Sequence, residues 1–196
     1  MIAIVEKPQT LSLEEFLVMP ETKPASEYFN GEVIQKPMPQ GKHSILQVKL
    51  ASAINQFTED KKIVETRYIA SLPELRCTFA GRSIVPDIAV IRWENLPRDE
   101  DGEIGDRFNR HPDWFIEILS PEQTGTLVME KILFCLQNGT ELGWLIDPQT
   151  KSIAVFQSGL PKIYRVANGD MEPLPLLTGL EEWKLSVNDI FGWLKV

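Results

Sequence analysis

The sequence predicts an α/β fold, a mixed β-sheet flanked by helices and preceded by an N-terminal helix and a β-hairpin. Three observations carry this expectation. Apolar residues recur with helical spacing over 43–57, 121–138 and 186–194; short apolar runs occupy 84–91, 114–119 and 142–146; and turn residues punctuate the boundaries.

The elements follow in chain order. Thr10 or Ser12 caps a short helix over 10–18 with Glu14 and Glu15 in its first turn. Residues 26–35 form two extended pieces around Asn30-Gly31, a pair suited to a two-residue turn whose central residues both need positive φ. Leu46, Leu50, Ala53, Ile54 and Phe57 give the first long helix over 43–57. Ile63, Val64, Tyr68 and Ile69 mark a strand, Leu75–Phe79 a second, and Ala80-Gly81-Arg82 a turn into a central strand over 83–91. Residues 94–113 are acidic and rich in Gly and Pro, hence a loop in which His111 is expected to be solvated. Strand 114–119, a helix from Ser120-Pro121 to Asn138-Gly139, and strand 142–146 form a crossover unit. Residues 153–156 answer that strand, and a helix over 186–194 ends the pattern.

Composition narrows the class. The 196 residues suit one domain, and 43% hydrophobic with 24% charged residues is ordinary globular usage. Cys77 and Cys135 are too few and too far apart for a disulfide scaffold or a zinc knuckle, so both are expected as reduced core thiols. No segment has the length of a signal h-region or a membrane span, which gives the expectation of a soluble cytoplasmic protein.

The chemistry concentrates at two carboxylates. Asp87 and Glu117 interrupt runs that are otherwise apolar. An unpartnered carboxylate in such a place costs several kcal/mol or takes up a proton. A divalent cation drawing oxygen ligands from both relieves the desolvation and the mutual repulsion together; pairing of each with an Arg or an amide is the bland alternative. With a helix starting near Gln123, Lys131 lies about 12 Å along it, and Glu117 lies about 7 Å back from the strand end, so the ammonium reaches the level of the carboxylate.

These residues carry a resemblance. Pro86-Asp87, Glu117 and a helical lysine resemble the PD-(D/E)XK nuclease signature. The wider frame of Glu27-Tyr-Phe-Asn-Gly-Glu32, His43, Ile84-Val-Pro-Asp-Ile-Ala-Val90, Ile116-Glu-Ile-Leu-Ser-Pro121 and Gly143-Trp-Leu-Ile-Asp-Pro148 resembles the Uma-two-type restriction endonuclease family, abundant in cyanobacteria, over residues 10–157. The resemblance implies a restriction endonuclease-like fold across residues 1–196, with a core about 24–157 and a C-terminal extension 158–196. It also implies a DNA endonuclease in which Asp87, Glu117 and the Ile118 carbonyl hold Mg²⁺ or Mn²⁺ while Lys131 orients water. Two positions depart from the pattern: Leu119 stands where the plain motif has lysine, and Leu127 stands where many relatives have Asp.

Glu27 and His43 are supporting candidates, and Gln40, Lys42 and Lys49 are candidates for DNA contact around a helix N-terminus. Net charge is −8, against a general nucleic-acid coat, yet it is segregated. Residues 36–82 hold eight basic and four acidic side chains, whereas 93–130 hold ten acidic and three basic. A basic stripe for phosphates and two ordinary solvated faces are both compatible with that pattern. The rival functions are a catalytically inactive descendant binding DNA or protein, which predicts no divalent-metal binding, and an interaction protein dimerising through Trp183, Ile190, Phe191, Trp193 and Leu194. A homodimeric nuclease is expected under the leading reading.

Overall fold

Asn30 and Gly31 take φ of 55° and 82°, so strands β1 (Ser26–Phe29) and β2 (Glu32–Gln35) close through two residues with Phe29 opposite Glu32. The structure is a computed structural model describing residues 11–60, 69–121, 123–167 and 172–195. The expected strand around Ile63 and Val64 lies outside the described residues up to residue 68. Ahead of the hairpin, α1 (Leu13–Leu17) is capped by Ser12, whose hydroxyl accepts from the Glu15 amide while the Glu15 carboxylate takes the Ser12 N–H.

The strands form two sheets rather than one. Strands β4 (Cys77–Phe79) and β5 (Arg82–Ile84) join the hairpin in the order β2-β1-β5-β4. The larger sheet contains β3 (Ile69–Pro73), β6 (Ile88–Arg92), β7 (Trp114–Ile118), β8 (Leu142–Asp147), β9 (Ser152–Phe156) and β10 (Lys162–Arg165), in the order β10-β9-β8-β7-β6-β3. The pair β7 and β8 is parallel and flanks helix α3 (Gly125–Gln137), as the crossover requires.

The expected strand over 83–91 is therefore two strands in two sheets, parted by Val85-Pro86-Asp87. The cause is Pro86, which has no N–H for a central ladder. Asp87 thus stands at the mouth of β6, not in the middle of a strand. Helix α3 begins at Gly125 with Thr124 at its cap, four residues after the expected start; Ser120 and Gln123 instead bond to one another, the Gln123 side chain accepting the Ser120 N–H. His111 is half-buried rather than solvated, edge-on to Phe79 at 6.0 Å between rings.

Alternation along the large sheet sorts two cores. On one face Ile88, Val90, Trp114, Ile116, Trp144 and Ile146 pack against Leu46, Leu50 and Ile54 of α2 (Gly41–Asp60). On the other, Ala89, Ile91, Phe115 and Leu145 meet Val128, Ile132 and Cys135 of α3, together with Phe29 and Ile84 of the small sheet. The C-terminal residues Leu174, Leu177, Leu185, Ile190 and Phe191, the last two on α4 (Val187–Gly192), belong to the α2 core, and Trp183, Trp193 and Leu194 pack partly buried against it. The apolar tail is thus absorbed by its own chain, which removes the reason for expecting it to be an interface.

Candidate active site

Five elements converge where β6 begins and β7 ends. Glu117 shares the face of Phe115 on β7, toward α3, so Lys131 of α3 meets it. Asp87 enters β6 from the Pro86 bend. His43 and Gln47, one turn apart on α2, reach Asp87 from the opposite layer, and Glu27 arrives from β1. All five candidate catalytic and supporting side chains are buried, Asp87, Glu117 and Glu27 at 2% exposure or less.

Each carboxylate has one oxygen fixed by rigid partners. Asp87 Oδ2 accepts the Ile118 N–H at 2.7 Å and lies 2.9 Å from His43 Nε2. Glu117 Oε1 accepts from Lys131 Nζ at 2.7 Å, and Lys131 also donates to Glu27 Oε2 at 2.9 Å. The other oxygen of Glu27 accepts the Val85 N–H at 2.8 Å, and Gln47 donates to the Asp87 carbonyl at 2.8 Å, so the Pro86 bend is clamped on both sides. His43 Nδ1 is buried with no hydrogen-bond partner among the described residues.

The remaining oxygens face one cation. Lys36, the residue after β2, donates from Nζ to Asp87 Oδ1 at 2.7 Å, to Glu117 Oε2 at 3.1 Å and to the Val85 carbonyl at 2.7 Å. Neither Lys36 nor Gln47 nor the Val85 carbonyl was among the residues the motif singled out. In the structure Lys36 lies two residues beyond half-buried Ile34 and so continues the inward side of β2. Gln47 was legible as the position one turn after His43.

The electrostatics separate the two carboxylates. Burial presses Asp87 toward protonation, but the Lys36 charge and the His43 hydrogen bond outweigh it and hold this carboxyl well below its usual range. Burial and the charge of Asp87 push Glu117 up to about 7, against the pull of Lys131 and Lys36. Lys131 is opposed by burial but raised on balance by Glu117 and Glu27, so it stays charged.

Gln40, Lys42 and Lys49 lie exposed at and along the N-terminal half of α2, apart from the buried cluster but on the helix that supplies His43. The Ile118 N–H is the group of that residue seen on the carboxylate pair. Beside Lys36 and Lys131, a cavity of about 340 Å³ is lined by Glu27, Phe29, Ile34 and Leu127.

The donor set fits a hard divalent cation. Two carboxylate oxygens and a backbone carbonyl already converge on a positive charge, the Lys36 ammonium, and Mg²⁺ needs only one or two protein carboxylates because it keeps several waters. Among the described residues no group of three or more His, Cys, Asp or Glu is placed to hold a metal ion.

A mixed sheet with helices on both faces, and a Pro-Asp bend, a strand Glu and a helical Lys meeting at the ends of its interior strands, is the architecture of a restriction endonuclease-like nuclease. A crystal structure described as a putative nuclease belonging to DUF820 from Anabaena variabilis superposes with a TM-score of 0.86 at 44% identity, covering 94% of this chain and 99% of the other. The family model Uma2, described as "Putative restriction endonuclease", matches residues 13–188, and the chain belongs to that family. It is accordingly placed among the hydrolytic nucleases. No curated protein matches the chain.

Proposed function

We propose that the protein hydrolyses DNA phosphodiester bonds with a Mg²⁺ or Mn²⁺ ion held by Asp87, Glu117 and the Ile118 carbonyl. The observation that carries this reading is the pair of buried carboxylate oxygens, one each from Asp87 and Glu117, turned onto a single cation while their other oxygens are fixed elsewhere. The ion would lower the pKa of a bound water and neutralise charge on the phosphorane. Lys131, held between Glu27 and Glu117, orients the attacking water or stabilises the phosphate oxygen. His43 and the Ile118 N–H fix the orientation of Asp87, while Gln40, Lys42 and Lys49 contact the DNA backbone.

Lys131 meeting Glu117 favours the active reading over the inactive descendant, because it supplies from α3 the charge that Leu119 cannot. A duplex cut on both strands calls for two such sites, so the acting species is a homodimer. The two free, buried cysteines suit a reducing cytoplasm, and among the described residues no helix is long and apolar enough to cross a membrane.

The test is nicking of supercoiled plasmid with Mg²⁺ or Mn²⁺ against an EDTA control. Asp87→Ala and Lys131→Met are each expected to lose at least about 100-fold in rate with their circular dichroism unchanged. Cleavage by Asp87→Ala at the parental rate under matched metal would end this assignment. Absence of both cleavage and metal binding in the parent would establish the inactive descendant.

A further inference from the structure

Lys36 bridges the two carboxylates through the oxygens that their other partners leave. Among the described residues its ammonium donates to the two outward carboxylate oxygens and the Val85 carbonyl, and its side chain is 11% exposed against 3% for Asp87 and 1% for Glu117. Lys131 is anchored inside by two carboxylates. Lys36 projects from the chain end of β2, just before Pro37, and lines the cavity of about 340 Å³ that opens beside the cluster. A lysine is a compact charge on a flexible four-carbon stem, so it can leave its partners without moving the backbone.

We propose that Lys36 is a displaceable internal counter-ion: its ammonium binds Asp87 Oδ1 and Glu117 Oε2 in place of a divalent cation, and metal loading expels it into the adjoining cavity. This rests on the proposed metal-dependent reading. A metal bonded at about 2.1 Å to those same oxygens overlaps an ammonium lying 2.7 and 3.1 Å from them, so the two cations exclude one another. The exclusion explains how two carboxylates buried at the ends of interior strands remain preorganised: one positive charge stands between them in either state. It also sets the metal affinity, because an ion that must first displace an occupant binds more weakly by the fraction of time the site is taken.

The test is Mn²⁺ binding by calorimetry on the full chain, with thermal unfolding in EDTA as a second readout. Lys36→Met is expected to bind Mn²⁺ at least about tenfold more tightly than the parent, and to unfold at lower temperature in EDTA but gain more on adding Mn²⁺. Lys131→Met gauges the field effect at Glu117, which both lysines contact, whereas Lys36 also contacts Asp87. Lys131→Met is expected to tighten binding by no more than about threefold. Should Lys36→Met be too unstable, Lys36→Gln removes the charge, keeps one hydrogen-bond donor and is expected to tighten binding in the same direction. Equal shifts in Lys36→Met and Lys131→Met, or none in Lys36→Met, would overturn the displacement while leaving the metal site standing. No Mn²⁺ binding in parent or variants would overturn both.

Discussion

At the scale of single residues, the site depends on which oxygen each carboxylate gives to which partner. Glu27 illustrates this. It has no place on a proposed metal, yet it satisfies the Val85 N–H and the Lys131 ammonium together. Glu27→Gln keeps an acceptor for one donor but turns an amide toward the other or leaves it short of a charge, so Lys131 loses its inner anchor. The expected outcome is a drop in kcat of about tenfold or more with Mn²⁺ affinity nearly unchanged, and a stability loss of about 1–3 kcal/mol in denaturant titration. An unaltered kcat would show that Lys131 needs no such positioning. Glu117 gives a pH prediction. Burial and Asp87 raise its pKa in the fold from 4.5 to about 7, so the protonated form is favoured by folding. Its contribution to stability is full below pH 4.5 and declines as pH rises through about 7. In EDTA the parent should therefore lose stability over that window, and Glu117→Gln should lose less of it; parallel profiles would refute the assignment. The sequence disclosed Asp87 and Glu117 because charge in an apolar run is conspicuous, and Lys131 because the helix geometry allowed it. Lys36 was obscure because a lysine beside a proline at a hairpin end looks solvated; only the second sheet, folded over the cluster, brings it in.

At the scale of elements, local signals set the hairpin, the helix caps and the crossover. Ser12 and Ser186 each form a capping box, and Asn30-Gly31 and Ala80-Gly81 each supply two positive-φ residues to a hairpin turn. What local signals did not convey was partner choice: β5 and β6 are neighbours in sequence, yet Pro86 divides them between sheets, and that division creates the bend on which Asp87 sits. The end of α3 shows the same dependence on context. Gly139 ends the helix at φ 111°, and a Cβ there would lie 2.6 Å from His111 Nε2. Gly139→Ala thus meets both backbone strain and the imidazole, and is expected to destabilise the protein by about 2–3 kcal/mol. Adding His111→Ala should recover the steric part but not the backbone part. Full recovery, or no loss in the single variant, would show that one of the two causes is absent.

At the scale of the whole molecule, folding engages three of the basic residues that the sequence groups between 36 and 82. Of the eight basic residues between 36 and 82, Lys36 is in the cluster, Arg76 is paired with Glu21, and Arg82 lies between the rings of Phe29 and Phe134 at 4.1 and 3.9 Å. Lys61, Lys62 and Arg67 lie outside the described residues, which leaves Lys42 and Lys49 exposed, one above the other on α2 seven residues apart. Linear charge counting could not foresee this, because it assigns every basic residue to solvent. Exposed beside the His43 end of α2, these two lysines are the candidates for phosphate contacts next to the cluster. Lys42→Ala with Lys49→Ala is accordingly expected to lower the slope of log affinity against log salt by about two for duplex DNA, while leaving Mn²⁺ affinity at Asp87 and Glu117 unchanged. Binding measured in Ca²⁺, which holds the site without rapid cleavage in many Mg²⁺ nucleases, isolates this step from hydrolysis. A slope that does not change would move the DNA path off α2, and a slope that falls together with Mn²⁺ affinity would place these lysines within the field of the metal site.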